Sequence, residues 1–126
     1  MSVVNLNKSA DRIEDGNDAI VIINDLGDIP GGRSLDVTDV TEDVIRAGHI
    51  LIVNDTTKEV KPMPVSGKAY AAKPSGYSYY GVLKHSVLKT DARAAILTMG
   101  QVNAAASPYP VTAEIKAGLP HIQFLY

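Results

Sequence analysis

The sequence predicts a small, mostly β fold with a minor α component, a single short helix near the C-terminus. Three observations carry that expectation. The apolar stretches are short and rich in β-branched residues, as in "AIVIIN" and "ILIVN", which suits strands. Turn formers punctuate the intervals, and only "VTAEIKAGL" has both a helix start and a helix stop. The strands differ in length and are joined by proline-rich loops, which argues against a doubly wound α/β fold.

Residues 1–30 read as a polar N-terminal arm, with Asp11, Glu14, Asp15 and Asp18 around Gly16 and one strand-like burst at 19–24. "PGG" at 30–32 ends the arm, and a main domain is expected over 31–126. Leu35, Val37 and Val40 are the apolar positions of "SLDVTDV". "TEDVIRAG" is too short before Gly48 to be more than a bend or one helical turn capped by Thr41.

"HILIVNDTTKEVKPM" reads as a β-hairpin turning at 54–57, its second arm stopped by Pro62 and Pro64 because proline supplies no ladder N–H. "GKAYAAKPSGYS" is a loop, and "YYGVLKHSVL" and "RAAILTM" give two further strands. Apolar residues on both parities of "AAILTM" predict cover on both faces. The chain is then expected to turn at Gly100 into the small residues and prolines of "QVNAAASPYP". In the helix that follows, Thr112 is the cap, Val111 and Ile115 staple the start, and Gly118 with Pro120 ends it. "HIQFLY" closes the chain as a strand.

A chain of 126 residues suits one domain. Its formal net charge of -2 leaves no excess of lysine and arginine to follow a phosphate backbone, so nucleic acid is not an expected partner. The absence of cysteine excludes disulfides, thiol nucleophiles and thiolate metal sites. "MSVVNLNKSADRIEDG" lacks the basic start and apolar run of a signal peptide, and no run reaches membrane-spanning length. Synthesis and folding in a cytoplasm, without a membrane partner, are therefore expected.

Reactive residues show no catalytic pattern. His49, His85 and His121 lack paired metal-ligand spacing and read as packing or surface histidines. Asp36, Asp39, Glu42 and Asp43 lack the order of a calcium loop and read as a solvated acidic face. No serine sits in a nucleophile elbow, and "PGGR" and "VSGK" lack the spacing of a phosphate loop. The expectation is a non-enzyme with no cofactor and no metal. Tyr70, Tyr77 and Tyr79, with Tyr80 beside them, are candidate contacts to a surface ligand such as a sugar, or else fill the core beneath their loop.

Four stretches, "GGRSLDVTDVTEDVIRAGHILIVND", "VKPMPV", "GYSYYGVL" and "ARAAILTMGQVNAAASPYPVTAEIKAGLPHIQF", together resemble the small head fibre proteins of phages and prophages of Bacteroides-type bacteria. More distantly they resemble the head decoration protein of phage lambda and its relatives. The shared features, over residues 31–124, are Ala47-Gly48 entering a strand, Lys61-Pro62 closing the hairpin, the strand from Tyr80 to Leu83, and Gly100-x-Val-Asn103. Relatives often carry an acidic residue after that asparagine, where this chain has Ala104.

The resemblance implies a β-clip-like fold, assembled as homotrimers on the outside of an icosahedral capsid. There such proteins bind the major capsid protein, staple the shell against genome pressure and in some cases anchor a head fibre. On that expectation, Ala19, Ile20, Val21, Ile22 and Ile23 add to a sheet edge of the capsid protein. Gly100, Val102, Asn103, Ala104, Ala105, Ala106 and Pro108 form the trimer contact, where small residues let backbones approach at little entropic cost. Two rivals remain at this level: a carbohydrate-binding or host-adhesion module using the tyrosines, and a small β-clip hydrolase with a metal near Asp36 or Asp43.

Overall fold

The structure, a computed structural model, describes residues 18–29 and 32–125. The acidic residues Asp11, Glu14 and Asp15 and the first two residues of the 30–32 boundary lie outside the described residues. The fold is mostly β. It begins with a single helical turn, α1 (Asp18–Val21), followed by β1 (Ile22–Asp28), β2 (Arg33–Ser34), β3 (Val44–Ile45), β4 (Ile50–Asn54), β5 (Val60–Pro62), β6 (Val65–Ser66) and β7 (Ala69–Tyr70). Then come β8 (Tyr77–Leu83), β9 (Val87–Leu88), β10 (Arg93–Ala94), β11 (Ile96–Asn103), a 3-10 turn at Ala104–Ala106, α2 (Ala113–Gly118) and β12 (Ile122–Leu125).

The main sheet runs β1-β11-β8-β4-β5, with β12 beside β11. Three two-stranded ribbons, β2 with β10, β3 with β9 and β6 with β7, lie outside it. Strand alternation sends successive side chains to opposite faces, and here both faces are covered. On β4, Ile50 and Ile52 enter one core cluster and Leu51 the other; on β8 and β11, Val82 and Leu97 join the first, Leu83 and Ile96 the second. The first cluster is capped by α2 through Ile115 and by Val21, Val102 and Ile122; the second by the ribbons, through Leu35, Ile45, Val87 and Ala94. The double cover expected for "AAILTM" is therefore present.

The hairpin stands where expected: Leu51 pairs with Pro62 and Val53 with Val60, and Asn54 holds the turn by accepting the Thr56 and Thr57 N–H groups at 2.8 and 3.0 Å. The C-terminal helix is also as read. The Thr112 hydroxyl accepts the Ile115 N–H at 3.4 Å, and Gly118 lies directly against the Tyr79 ring, where a side chain does not fit.

Two expectations need correction. Residues 18–29 do not leave the domain as an arm: Val21 is fully buried and β1 pairs antiparallel with β11. The burst at 19–24 reads as one strand because its residues are β-branched, but α1 takes up the first part and the strand runs on to Asp28. β11, in turn, does not stop at Gly100. It continues to Asn103, because Gly100 adopts φ +152° against the Asn24 carbonyl, a close approach that only a residue without Cβ allows. β8 pairs with the first part of β11 and β12, in parallel, with the last, so the long strand stays flanked along its length.

Candidate functional site

β1 ends the sheet, and its pairing with β11 is irregular, with register shifts between Ile22 and Asn24, Asp25 and Gly27, and Gly27 and Asp28. Such slips twist an edge strand and free its side chains from the regular in-out alternation. Ile20, Ile23 and Leu26 are 54%, 44% and 63% exposed, and Met99, the cross-strand neighbour of Gly27, is 43% exposed. These are four of the five large hydrophobic side chains that stand exposed among the described residues. Apolar groups gathered on one edge element mark a contact surface more readily than the same groups scattered singly.

The edge is tethered by charge. The Lys84 ammonium contacts the Asp25 carboxylate and lies 2.8 Å from that of Asp28, joining the end of β8 to β1 across β11. The Asp28 carboxyl is held below its ordinary range, chiefly by the hydrogen bond and charge of Lys84. The Lys84 ammonium is held above its own by the Asp25 and Asp28 hydrogen bonds.

The five residues expected to extend a capsid sheet are thus divided. Val21 lies in the core and Ile22 packs against it, so neither is available to a partner; Ile20 and Ile23 are exposed. Ala19 lies within α1. The expected trimer residues divide likewise. Val102 and Ala106 are buried in the chain's own core, Gly100 is buried against β1, and the Asn103 side chain caps the 3-10 turn by accepting the Ala105 N–H at 3.1 Å. Ala104 and Pro108 are half-buried, and Ala105 is exposed. Small residues here serve close packing of the chain on itself before any contact between copies.

The tyrosines are half-buried and tied into the framework. The Tyr70 hydroxyl accepts the Ile50 N–H at 3.0 Å, and burial pushes its phenol pKa well up. Tyr77 and Tyr79 pack on the first core cluster, with the Lys61 and Lys73 ammonium groups over their rings at 4.5 and 5.6 Å. A sugar-stacking face needs exposed rings, and these are half-buried.

On the β5 side of the sheet lies a second feature, a cleft of about 150 Å³ between the 36–46 segment, the turn from Pro62 to Val65, and Pro108 with Tyr109. His49 forms its floor. The His49 ring is buried; Nε2–H donates to the Met63 carbonyl at 2.9 Å, and the Tyr70 and Tyr109 rings stand edge-on at 5.3 and 5.6 Å. Burial lowers the His49 pKa, partly offset by the Met63 carbonyl and the Glu42 charge. The Tyr109 hydroxyl donates to Glu42 Oε1 at 3.2 Å, and the Tyr109 phenol is pushed up by burial and by that carboxylate.

Tyr109 was not singled out by sequence reasoning. The signal for it is its place between Pro108 and Pro110, which restricts the backbone on both sides and biases Tyr109 to an extended conformation. The acidic residues at 36–43 do not converge on one point. Asp36 accepts the Thr38 N–H at 3.1 Å and its hydroxyl, and Asp39 pairs with Lys61 at 3.3 Å. His85 and His121 are exposed and apart from the cleft. Among the described residues no three His, Asp or Glu side chains form a metal-binding group. Comparison of the chain with protein-family models, curated proteins and solved structures finds no match.

Proposed function

We propose that this chain is a structural virion protein that binds the outside of a phage capsid as a homotrimer, stabilising the head or anchoring a head fibre. The observation that carries the reading is the apolar edge: Ile20, Ile23, Leu26 and Met99 exposed together on α1, β1 and the strand beside it. A rigid sheet with both faces covered has its edge left for a partner, and apolar groups there favour a protein surface that removes them from water. The resemblance of the 31–124 stretches to head fibre and decoration proteins supports the major capsid protein as that partner. Copies meet at Ala105, the exposed residue of the Ala104–Ala106 turn, whose short side chain lets a second backbone approach.

Because Val21 and β1 belong to the fold, deleting the N-terminal residues damages the domain and tests nothing. Substitution of exposed side chains does. Purified protein is co-sedimented with expanded heads of its own phage that lack it, and bound copies per capsid subunit are counted. Saturation at a fixed ratio with a gain in heat resistance of the heads is expected. Ile23→Asp with Leu26→Asp should abolish binding while leaving the thermal unfolding of the free protein nearly unchanged. Heads that take up the double variant as they take up the parent would overturn the reading.

A further inference from the structure

The cleft above His49 has no part in the edge contact, and its construction is that of a receptor for a side chain. Val40, Val44, Met63, Val65, Pro108 and Tyr109 supply apolar wall, and Val65 is the one exposed large hydrophobic among the described residues that does not lie on α1, β1 or β11. The volume of about 150 Å³ matches an apolar cavity able to hold a single benzene ring. The walls are also held in place: the floor by the His49–Met63 hydrogen bond, one side by the prolines, the other by Tyr109 wedged against His49 and Tyr70.

The rim has a chemical bias. Asp36, Asp39 and Glu42 line the cleft beside Lys61 and Arg46. Lys61 is bound to Asp39 and lies over Tyr77, and Arg46 is not free either. The Glu42 carboxylate, by contrast, is set at the mouth by a neutral donor, the Tyr109 hydroxyl. A phenol hydroxyl orients a carboxylate without neutralising it, so its negative charge remains to attract a cation.

We propose that this cleft seats a partner polypeptide through one leucine- or phenylalanine-sized side chain flanked by a lysine or arginine. The apolar side chain fills the cavity and the flanking cation meets Glu42. A free molecule small enough to fit has few atoms with which to gain affinity, whereas a polypeptide also reaches the half-buried Pro64 and Pro108 beside the cavity. The site is distinct from the shell contact, since none of Ile20, Ile23, Leu26 and Met99 lines the cleft.

The test uses the full chain, isotopically labelled, and three capped dipeptides: acetyl-Phe-Lys-amide, acetyl-Phe-Glu-amide and acetyl-Gly-Lys-amide. The His49 ring and the Met63 methyl are followed by NMR. The Phe-Lys probe should give a saturable shift at both groups with a dissociation constant on the order of 1 mM. Phe-Glu should bind more weakly by about threefold, the range of a partly exposed charge contact, and Gly-Lys, which lacks the side chain that fills the cavity, by about tenfold or more. Glu42→Gln should remove the preference for Phe-Lys over Phe-Glu while leaving the rest of the spectrum in place. Shifts that do not saturate, that fall elsewhere on the chain, or that are equal for Phe-Lys and Phe-Glu would overturn the proposal. None of these outcomes depends on Ile23 or Leu26, so failure here is distinguishable from failure of the shell contact.

Discussion

On the β4 flank of the sheet Ile50, Leu51 and Ile52 are all fully buried, whereas on the β1 flank Ile23 and Leu26 stand in solvent. The residue types are the same. The difference lies in what surrounds each strand. β4 is hydrogen-bonded on both sides, by β5 and β8, and one or other core cluster covers each of its faces. β1 has one neighbour, slips register against it three times, and is roofed only where Val21 and Ile22 turn inward. Hydrophobicity of a segment therefore does not say whether it builds the core or advertises a contact; the number of neighbours does.

The sharpest way to break that comparison is to truncate one residue from each flank. Ile52→Ala leaves a cavity in a fully packed cluster and should cost about 2–5 kcal/mol. Leu26→Ala removes a side chain already in water and should stay within about 0.5 kcal/mol. Urea unfolding of both variants checks this. Similar losses at the two positions would mean that β1 is packed by a surface that the single chain does not display.

Legibility in the sequence follows the same division. The β4–β5 hairpin was readable because Asn54 and the threonines specify its turn locally and the prolines end it. The α2 helix was readable because Thr112 caps it from within its own segment. From sequence alone β1 reads short and outside the domain, since "NDLGD" has no strand pattern of its own and is held by contacts far along the chain, Lys84 and Gly100. The floor of the cleft was hidden for the same reason: His49, Tyr70 and Tyr109 are distant in sequence and meet only once the sheet has formed. The exposure of Ile20 and Ile23, against the burial of Val21, follows from a helical turn meeting a slipped strand, which periodicity cannot show.

The flanks should also answer acid at different pH. On the β5 side, burial holds the His49 pKa below its ordinary value of 6.5. The unfolded chain therefore takes up this proton first. The contribution is whole above 6.5 and is lost as pH falls from there toward the folded value. Urea midpoints should fall between about pH 7.5 and pH 5.5, and His49→Gln should flatten that slope. An unchanged slope in His49→Gln would assign the acid sensitivity to another group.

On the β1 side the titrating groups are Asp28, held below its ordinary 3.8, and Lys84, held above its ordinary 10.5. The Asp28 contribution is present above 3.8 and lost as pH falls through its folded value; the Lys84 contribution is present below 10.5 and lost as pH rises through its own. Lys84 is mostly covered but both carboxylates are partly exposed, and ion pairs open to solvent on one side add little to global stability. Lys84→Met should leave the urea midpoint almost where it was. What it should change is local: amide exchange over Ile22–Asp28 should quicken by about two- to threefold at neutral pH, the scale of a weak surface pair. High salt should bring the parent toward the variant, because screening weakens the same contacts. Equal exchange in parent and variant would mean that Gly100 and the buried Val21 hold β1 in place, and that Lys84 and its two carboxylates add nothing measurable to the strand's local stability.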